Sequence, residues 1–420
     1  MKKSLKILVV VESIDINDSS GIKGRVALIR NMAQVGYTLR VYHYTRRNIS
    51  LSGIDCIAIP EQKWTLNYIF SKFQLLLRRL TGYNLNPWVE RKRGFSFAFF
   101  NDSYSIKKAL KKEKDFEPDW VLTLSKAASF RTHKAVLGIP KWHQKWLAYV
   151  HDPYPMHFFP RPYTWVQFGY LDKQEFFRDI SKKMAYGIFP SKLLMEWMGS
   201  YYPDFLERGI VVPHQMLNSS NENKSDIPKS SFFKPAYFSI LHAGSLMKPR
   251  NPKGLVEGFQ QFLRNFPEAA GHSQLLLIGK QSYFEDYLLK KKNEISQLYV
   301  SEGYVPYEEV RTIQNCVSVN VILEAKSEIS PFLPGKFPHC VAANKPIIHL
   351  GPKVSETRRI LGENYPYWAE IEDTEEIAKI ISLLYQRWCE NNNLKLNRPD
   401  VARYLSADTL KEILNTYLNP

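Results

Sequence analysis

The sequence predicts an α/β protein built as two successive doubly wound domains, and three observations carry that prediction. Apolar runs of strand length alternate with amphipathic stretches of helix length along nearly the whole chain. The alternation is interrupted once, by the polar stretch 218–231, and then restarts. The chain also has 420 residues, too many for one ordinary core at roughly 150 residues per domain.

The first apolar run, 5–11, is broken only by Lys6 near its start, as expected of a parallel strand buried on both faces. A polar loop at 15–20 leads into Gly21-Ile-Lys-Gly24, read as a glycine loop. Val26, Ile29, Arg30 and Ala33 then follow a helical pattern that Gly36 ends. Further strands are predicted at 38–44, 54–59, 120–124, 146–150, 186–189 and 210–212. Helical stretches near 66–81, 103–113, 128–137, 171–184 and 191–199 separate the later ones. Strand, glycine loop, helix, strand is the opening of a doubly wound parallel sheet, so 1–212 reads as one domain.

Residues 213–235 read as a linker, because 218–231 is almost without apolar side chains. The pattern resumes with a strand at 237–242, a loop at 243–252, a helix at 253–265, a strand at 274–278 and a helix at about 284–295. Short strands at 298–300 and 317–322, a helix at 335–343 and a strand at 346–349 complete a second domain, 236–397. A last helical stretch, about 401–417 within 398–420, can pack on either domain, including back on the N-terminal one. Open α/β sheets bind ligands outside the carboxyl ends of their strands, so two domains facing each other would place a site in the cleft between them.

Composition narrows the class. With 44% hydrophobic and 23% charged residues, wholesale disorder, collagen and a disulfide scaffold are excluded. The cysteines, Cys56, Cys316, Cys340 and Cys389, are far apart and lack CxxC spacing, which suits a reducing compartment and no zinc site. The apolar core of the N-terminus, 7–11, is short for a signal peptide, and no run reaches the roughly 18 apolar residues of a membrane span. A cytoplasmic chain is expected. The net charge of +16 calls for an anionic partner, and 24 Tyr, 24 Phe and 9 Trp fit either base stacking or a membrane interface.

Four loops can carry chemistry. Gly21 and Lys23 stand where a backbone and a helix start can approach an anion, although neither GxGxxG nor a Walker pattern is present. His151-Asp152 follows a strand directly, where a near-neutral imidazole can donate to a hydroxyl or share a proton. After the strand at 237–242 come Gly244, Ser245, Lys248, Arg250 and Lys253, a glycine and cations of the kind a diphosphate needs. Phe332, Leu333, Gly335 and Lys336 then lead into a short helix start. Each has a plain alternative: a polar turn, a histidine capping the sheet edge, solvated lysines, and an ordinary helix start.

Taken in order, these segments resemble the GT-B-fold glycosyltransferases, most of all the retaining family-four enzymes of bacterial surface polysaccharides. The resemblance rests on 6–11 with Gly21, then His151-Asp152, and Ile210-Val-Val-Pro-His214 where the family has Pro-Asn-Gly. It continues with Leu241-His-Ala-Gly-Ser-Leu246 and Lys253-Gly254, Leu277-Ile-Gly-Lys280, Glu302-Gly-Tyr-Val305 and Pro334-Gly-Lys336 through Ala342-Ala-Asn-Lys-Pro346. Two Rossmann-like domains facing across a cleft are implied. So is a hexosyl- or deoxyhexosyltransferase acting with retention in lipopolysaccharide O-antigen or capsule synthesis.

By the same resemblance no cofactor and no metal are required, and the nucleotide-sugar is a substrate. His151 and Asp152 are the catalytic candidates. Gly244, Ser245, Arg250, Lys253, Phe332, Leu333, Gly335 and Lys336 would hold the donor diphosphate, and their charge would stabilise the leaving nucleotide. Gly279, Lys280, Tyr304, Val305 and His339 would border the nucleoside, and Gly21 and Lys23 the acceptor. The pattern departs from the family in two places: Ser245 stands for its arginine, with Arg250 as a substitute, and its paired glutamates fall on Pro331 and His339. Glu324 and Glu328 are out of register with that pair.

The acceptor is expected to be a glycan or a lipid-diphosphate-linked sugar at the inner face of the cell membrane. The basic, aromatic stretch 64–100, with Arg78, Arg79, Arg91, Lys92 and Arg93, suits peripheral contact with anionic lipid, or else a surface helix with its apolar face in the core. Alternative functions are a GT-B-fold nucleotide-sugar epimerase and a non-catalytic, transferase-like binding subunit. Nucleic acid is not an expected partner, since no RNP, helix-turn-helix or zinc pattern accompanies the charge.

Overall fold

The computed structural model describes residues 4–18, 20–216, 228, 230–303 and 305–418. Ser19, Tyr304 and most of the expected linker, 217–227 and 229, lie outside the described residues. By its contacts the chain divides into one unit of residues 1–159, 164–217 and 406–420 and another of 160–163 and 218–405. The boundary anticipated near 397 therefore falls at 405, and 160–163 groups with the later half of the chain.

The first unit contains β1 (Lys6–Val11), β2 (Thr38–His43), β3 (Asp55–Ala58), β4 (Trp120–Leu124), β5 (Trp146–Tyr149), β6 (Tyr186–Phe189) and β7 (Gly209–Val211). They form one sheet in the order β3-β2-β1-β4-β5-β6-β7, every neighbouring pair parallel. Central β1 shows why its run is uniformly apolar. Leu8 and Val10 enter one core with Phe130, Trp146 and Phe177, while Ile7, Val9 and Val11 enter another with Val26, Ile29 and Leu122. A strand with helices on both faces must be apolar on both.

Among the described residues, eight α-helices of this unit precede residue 217: α1 (Ser20–Gln34), α2 (Leu66–Thr81), α3 (Asn86–Arg93), α4 (Phe97–Lys111), α5 (Arg131–Leu137), α6 (Tyr170–Lys183), α7 (Lys192–Gly199) and α8 (Asp204–Glu207). The sequence reading placed a loop at 21–24, but α1 begins at Ser20, so Gly21, Lys23 and Gly24 lie in its first turns. It also passed over α3 and α8, and over the first turns of α4, where Ser96 caps the Phe99 amide at 3.2 Å.

The second unit holds β8 (Phe238–Ala243), β9 (Ser273–Ile278), β10 (Leu298–Val300), β11 (Val319–Leu323), β12 (Ile329–Ser330), β13 (Ile347–Leu350), β14 (Val354–Ser355) and β15 (Trp368–Ala369). Six of them form a parallel sheet in the order β10-β9-β8-β11-β13-β15, and β12 pairs with β14. Its helices are α9 (Lys253–Asn265), α10 (Glu285–Glu294), α11 (Tyr307–Cys316), α12 (Phe337–Ala342), α13 (Glu356–Leu361), α14 (Thr374–Glu390) and α15 (Pro399–Tyr404). The sequence reading missed α11, α13 and α14. The last had a clear signal, with Asp373 capping the Glu376 amide and Ile377, Ile380, Ile381, Leu384 and Tyr385 buried at helical spacing. It packs against α9, where Gly258 lets the helices close: a Cβ there would lie 2.6 Å from Ile377 Cγ2.

The single C-terminal helix expected near 401–417 is broken at Leu405 into α15 and α16 (Ala407–Leu418). Within the first unit α16 buries Leu410, Leu414 and Leu418 in the core that α1 also lines, and Tyr37 Oη donates to Asn415 at 3.1 Å.

Candidate functional site

Two groups of polar side chains gather at strand C-termini, one in each unit. In the first unit β5 delivers His151 and Asp152, β1 delivers Glu12, and α1 contributes Arg25. Arg25 is buried, and its Nη2 lies 2.7 Å from His151 Nε2. A guanidinium only donates, so Nε2 is the accepting nitrogen and His151 is neutral. Burial first, then the Arg25 charge, holds His151 well below the usual imidazole range. Asp152 Oδ2 is 3.3 Å from the same nitrogen. His151 therefore positions a hydrogen bond and carries no exchangeable extra proton near pH 7, narrower than the proton sharing anticipated from the sequence.

Gly21 makes room for this group, and Gly24 faces it at ordinary contact distance. A Cβ at Gly21 would sit 3.0 Å from Arg25 Nη1, and one at Gly24 3.6 Å from His214 Nδ1. Burial lowers the basicity of Arg25, partly offset by Tyr149, Asp152 and Glu12. Its Nε and Nη1 are buried without a hydrogen-bond partner among the described residues. Glu12 accepts from Ser129 and from the Arg131 amide at 3.2 Å, and Arg131 pairs on with Asp102 at 3.0 Å. The sequence reading missed Arg25 and Glu12. The signal for Arg25 was a cation on the face that Ile22, Val26 and Ile29 define.

In the second unit the loops after β8 and β9 are knitted together. Gly244 N donates to Ile278 O and Leu246 N to Lys280 O, both at 2.8 Å. Gly279 must be glycine: its φ is +136°, and a Cβ would lie 2.4 Å from Gly244 O. This corrects one expectation, since the Gly244 amide serves the sheet and is not free for a phosphate. What stands beside Gly244 is the Lys336 ammonium, 3.3 Å from where a Cβ would be.

Lys336 stands immediately before α12 and donates to Nδ1 of buried His242 at 3.1 Å. Burial pushes its pKa down to about 7; the Arg250 charge adds to the depression, and Cys340 and Glu324 oppose it. His242 is held well below the imidazole range by burial, Lys336 and Arg250. Arg250 Nε, His242 Nε2 and Glu324 Oε2 are buried without hydrogen-bond partners among the described residues. Glu324, at the end of β11, accepts from Thr357 at 2.5 Å. The sequence reading set it aside as out of register; the structure brings it into the electrostatic surroundings of Lys336.

The remaining candidates are dispersed. Lys253 opens α9 with its ammonium 5.2 Å from the Tyr287 ring centroid, and Gly254 lets the helix approach the Ile371 carbonyl, 2.2 Å from a would-be Cβ. Ser245 and Gly335 are exposed, Leu333 is buried, and Phe332 meets Tyr163 edge-on at 6.3 Å. Gly279 and Lys280 line a cavity of about 350 Å³ with Ser282, Val300, Ser301 and Gly303. Val305 packs instead beside Ile313 and Val317, and His339 meets Tyr307 Oη at 3.4 Å. Tyr304 lies outside the described residues. Lys23 is half-buried, and Arg78, Arg79, Arg91, Lys92 and Arg93 are exposed in the last turns of α2 and α3. No group of three His, Cys, Asp or Glu side chains is placed to hold a metal ion among the described residues.

No protein-family model matches the chain, and no curated protein matches it. Solved structures do. A glycosyltransferase from Rickettsia africae aligns with TM-score 0.61 and 12% identity over 99% of this chain and 98% of its own. HepE of Anabaena, in complex with UDP and glucose, gives 0.62 and 11% over 99% of both chains. A UDP-forming α,α-trehalose-phosphate synthase from Burkholderia xenovorans, bound to glucose-6-phosphate, gives 0.61 and 9% over 99% and 100%. The fold is therefore that of the GT-B glycosyltransferases, with two parallel-sheet, Rossmann-like domains.

Proposed function

We propose that the chain is a glycosyltransferase that takes a sugar from a nucleotide-sugar, with the second unit binding the donor and the first the acceptor. The observation that carries this reading is the pair of cations at Gly244. Lys336 and Arg250 sit with neutral His242 in a poorly solvated corner, and buried polar atoms there lack hydrogen-bond partners among the described residues. A diphosphate would neutralise them, and they would stabilise the charge that develops on it as the glycosidic bond to the donor breaks. The adjoining cavity at Gly279 and Lys280 would take the nucleoside. The UDP held by HepE and the UDP-forming synthase favour UDP as the base to try first.

In the first unit His151 and Asp152 would orient the reacting hydroxyl or the sugar, with Arg25 fixing the imidazole. We further propose transfer of a hexose or deoxyhexose with retention and without a divalent metal, the chain's own cations taking the metal's part. The acceptor would be a glycan or lipid-linked sugar of surface-polysaccharide synthesis, met at the inner face of the membrane. Thermal shift with UDP, GDP, dTDP, CMP and ADP, each with magnesium or with EDTA, tests the donor side, since a ligand of the native state raises its apparent stability. Stabilisation by one nucleoside diphosphate in EDTA is expected; a flat panel removes the reading.

A further inference from the structure

Helix α2 is built inside out. Its sequence, LNYIFSKFQLLLRRLT, contains no acidic residue, and the side chains it buries are Ser71 and Gln74. Leu66, Ile69, Phe70, Phe73, Leu76 and Leu80, spaced at helical intervals, are exposed, Leu66 at 72% and Leu80 at 74%. Thr65 before the helix holds it by donating to Asn101 of α4 at 2.5 Å. An amphipathic helix of a globular protein normally turns this stripe to the core. Here it faces out, and exposed Trp64, Tyr83 and Trp88 stand at its ends, Trp64 at 97%.

The face continues beyond α2. Phe70 meets Phe97 at 5.2 Å, Arg93 of α3 lies 5.6 Å from the Phe97 centroid, and Arg91 lies 4.4 Å from Phe168. Phe168 belongs to a second exposed stretch with Trp165, Val166 and Leu171. Backbone contact joins the two stretches, since a Cβ at Gly169 would fall 2.6 Å from Gly94 Cα. Charges around this surface are mostly of one sign: Lys72, Arg78 and Arg79 on α2, and Arg91, Lys92 and Arg93 on α3, whose Glu90 is taken by Lys173 at 2.7 Å; exposed Asp172, against Gly94, is an acidic exception.

From this geometry we propose that α2, α3 and the 164–171 stretch form a docking face for an anionic lipid bilayer. Apolar side chains enter the acyl boundary, the end-of-helix aromatics sit at headgroup level, and the cations meet lipid phosphates. A second copy of the chain fits poorly, because a two-fold contact would set the same unneutralised cations against each other. The helix lies on the membrane; among the described residues no helix is long and apolar enough to cross one. The inference stands apart from the transferase reading.

Flotation of the full chain with phosphatidylglycerol/phosphatidylcholine vesicles, against phosphatidylcholine alone, tests it. The chain is expected to float with the anionic vesicles and be released by salt. Arg78→Gln with Arg79→Gln should weaken partitioning about 30-fold, the Boltzmann factor for two surface cations, while Lys at both positions retains it. Phe73→Ser with Leu76→Ser should abolish flotation at an unchanged melting temperature, since both side chains are exposed. A wild-type chain that does not float, or floats equally on neutral vesicles, overturns the proposal. So does a dimer in sedimentation velocity that the serine pair dissolves without any vesicle binding. Nucleotide binding, measured on the same samples, reports separately on the transferase reading.

Discussion

Lys336→Met should separate the charge at the Gly244 corner from its shape. With its pKa near 7, Lys336 is about half protonated at neutral pH in the free protein. A diphosphate favours the ammonium and raises its pKa, so binding takes up a proton. Affinity is therefore full below pH 7 and declines as pH rises from 7 towards the pKa of the bound state. The protonated fraction falls from about 0.76 at pH 6.5 to about 0.03 at pH 8.5, so the dissociation constant should rise about 25-fold, or roughly 2 kcal/mol. Titration calorimetry with UDP in EDTA at pH 6.5, 7.5 and 8.5 measures this. In Lys336→Met, binding should be weak and this pH dependence lost. The empty variant should also melt higher at pH 7: the unfolded chain holds that proton up to about 10.5, so the depressed pKa costs the fold a few kcal/mol at and below neutrality, and methionine does not. A wild-type affinity independent of pH, or a variant that binds UDP as tightly, would refute the reasoning.

Other expectations follow from single contacts. Gly279→Ala, with its Cβ driven towards Gly244 O, should cost at least about 2 kcal/mol and remove any nucleotide-induced thermal shift, read by denaturation and calorimetry. Burial pushes the Glu12 carboxyl above its usual range, so Glu12→Gln, which keeps an oxygen for Ser129 and the Arg131 amide while Asp102 still pairs Arg131, should leave stability in urea melts at pH 7 unchanged or raised; a loss of about 3 kcal/mol would show that the ion pair outweighs burial. Cys316 and Cys389 are exposed, whereas Cys340 is buried with its thiol pushed up to about 11. Maleimide at pH 7 should label the first two in the native protein and reach Cys340 only after unfolding, as mass spectrometry would show.

The sheets were legible in the sequence because a strand covered on both faces has to be a short, uninterrupted apolar run, as 7–11 and 275–278 are. The glycine segment at 21–24 misled for a physical reason. Those glycines lie inside a helix, where Gly21 clears space for the Arg25 side chain one turn on and Gly24 faces His214, so neither marks a loop. Helix α14 was missed although its cap and apolar spacing were present. At the site, strand ends pointed to His151 and to the Gly244 loop. The role of Gly244 itself was misjudged, because only the paired strands reveal that its amide is bonded to Ile278. Arg25, His242 and Glu324 were hidden as single polar residues within apolar patterns, whose company is set by the crossing of distant loops. The exposed stripe of α2 has the same periodicity as a core-facing one, and only burial tells them apart.

The most direct test of the transferase account is release of nucleoside diphosphate from UDP-glucose, in EDTA, with and without a membrane extract supplying acceptor glycans. The account predicts acceptor-stimulated UDP release that Lys336→Met suppresses. An intact UDP-glucose pool, or its conversion into an epimeric UDP-sugar without free UDP, would contradict it.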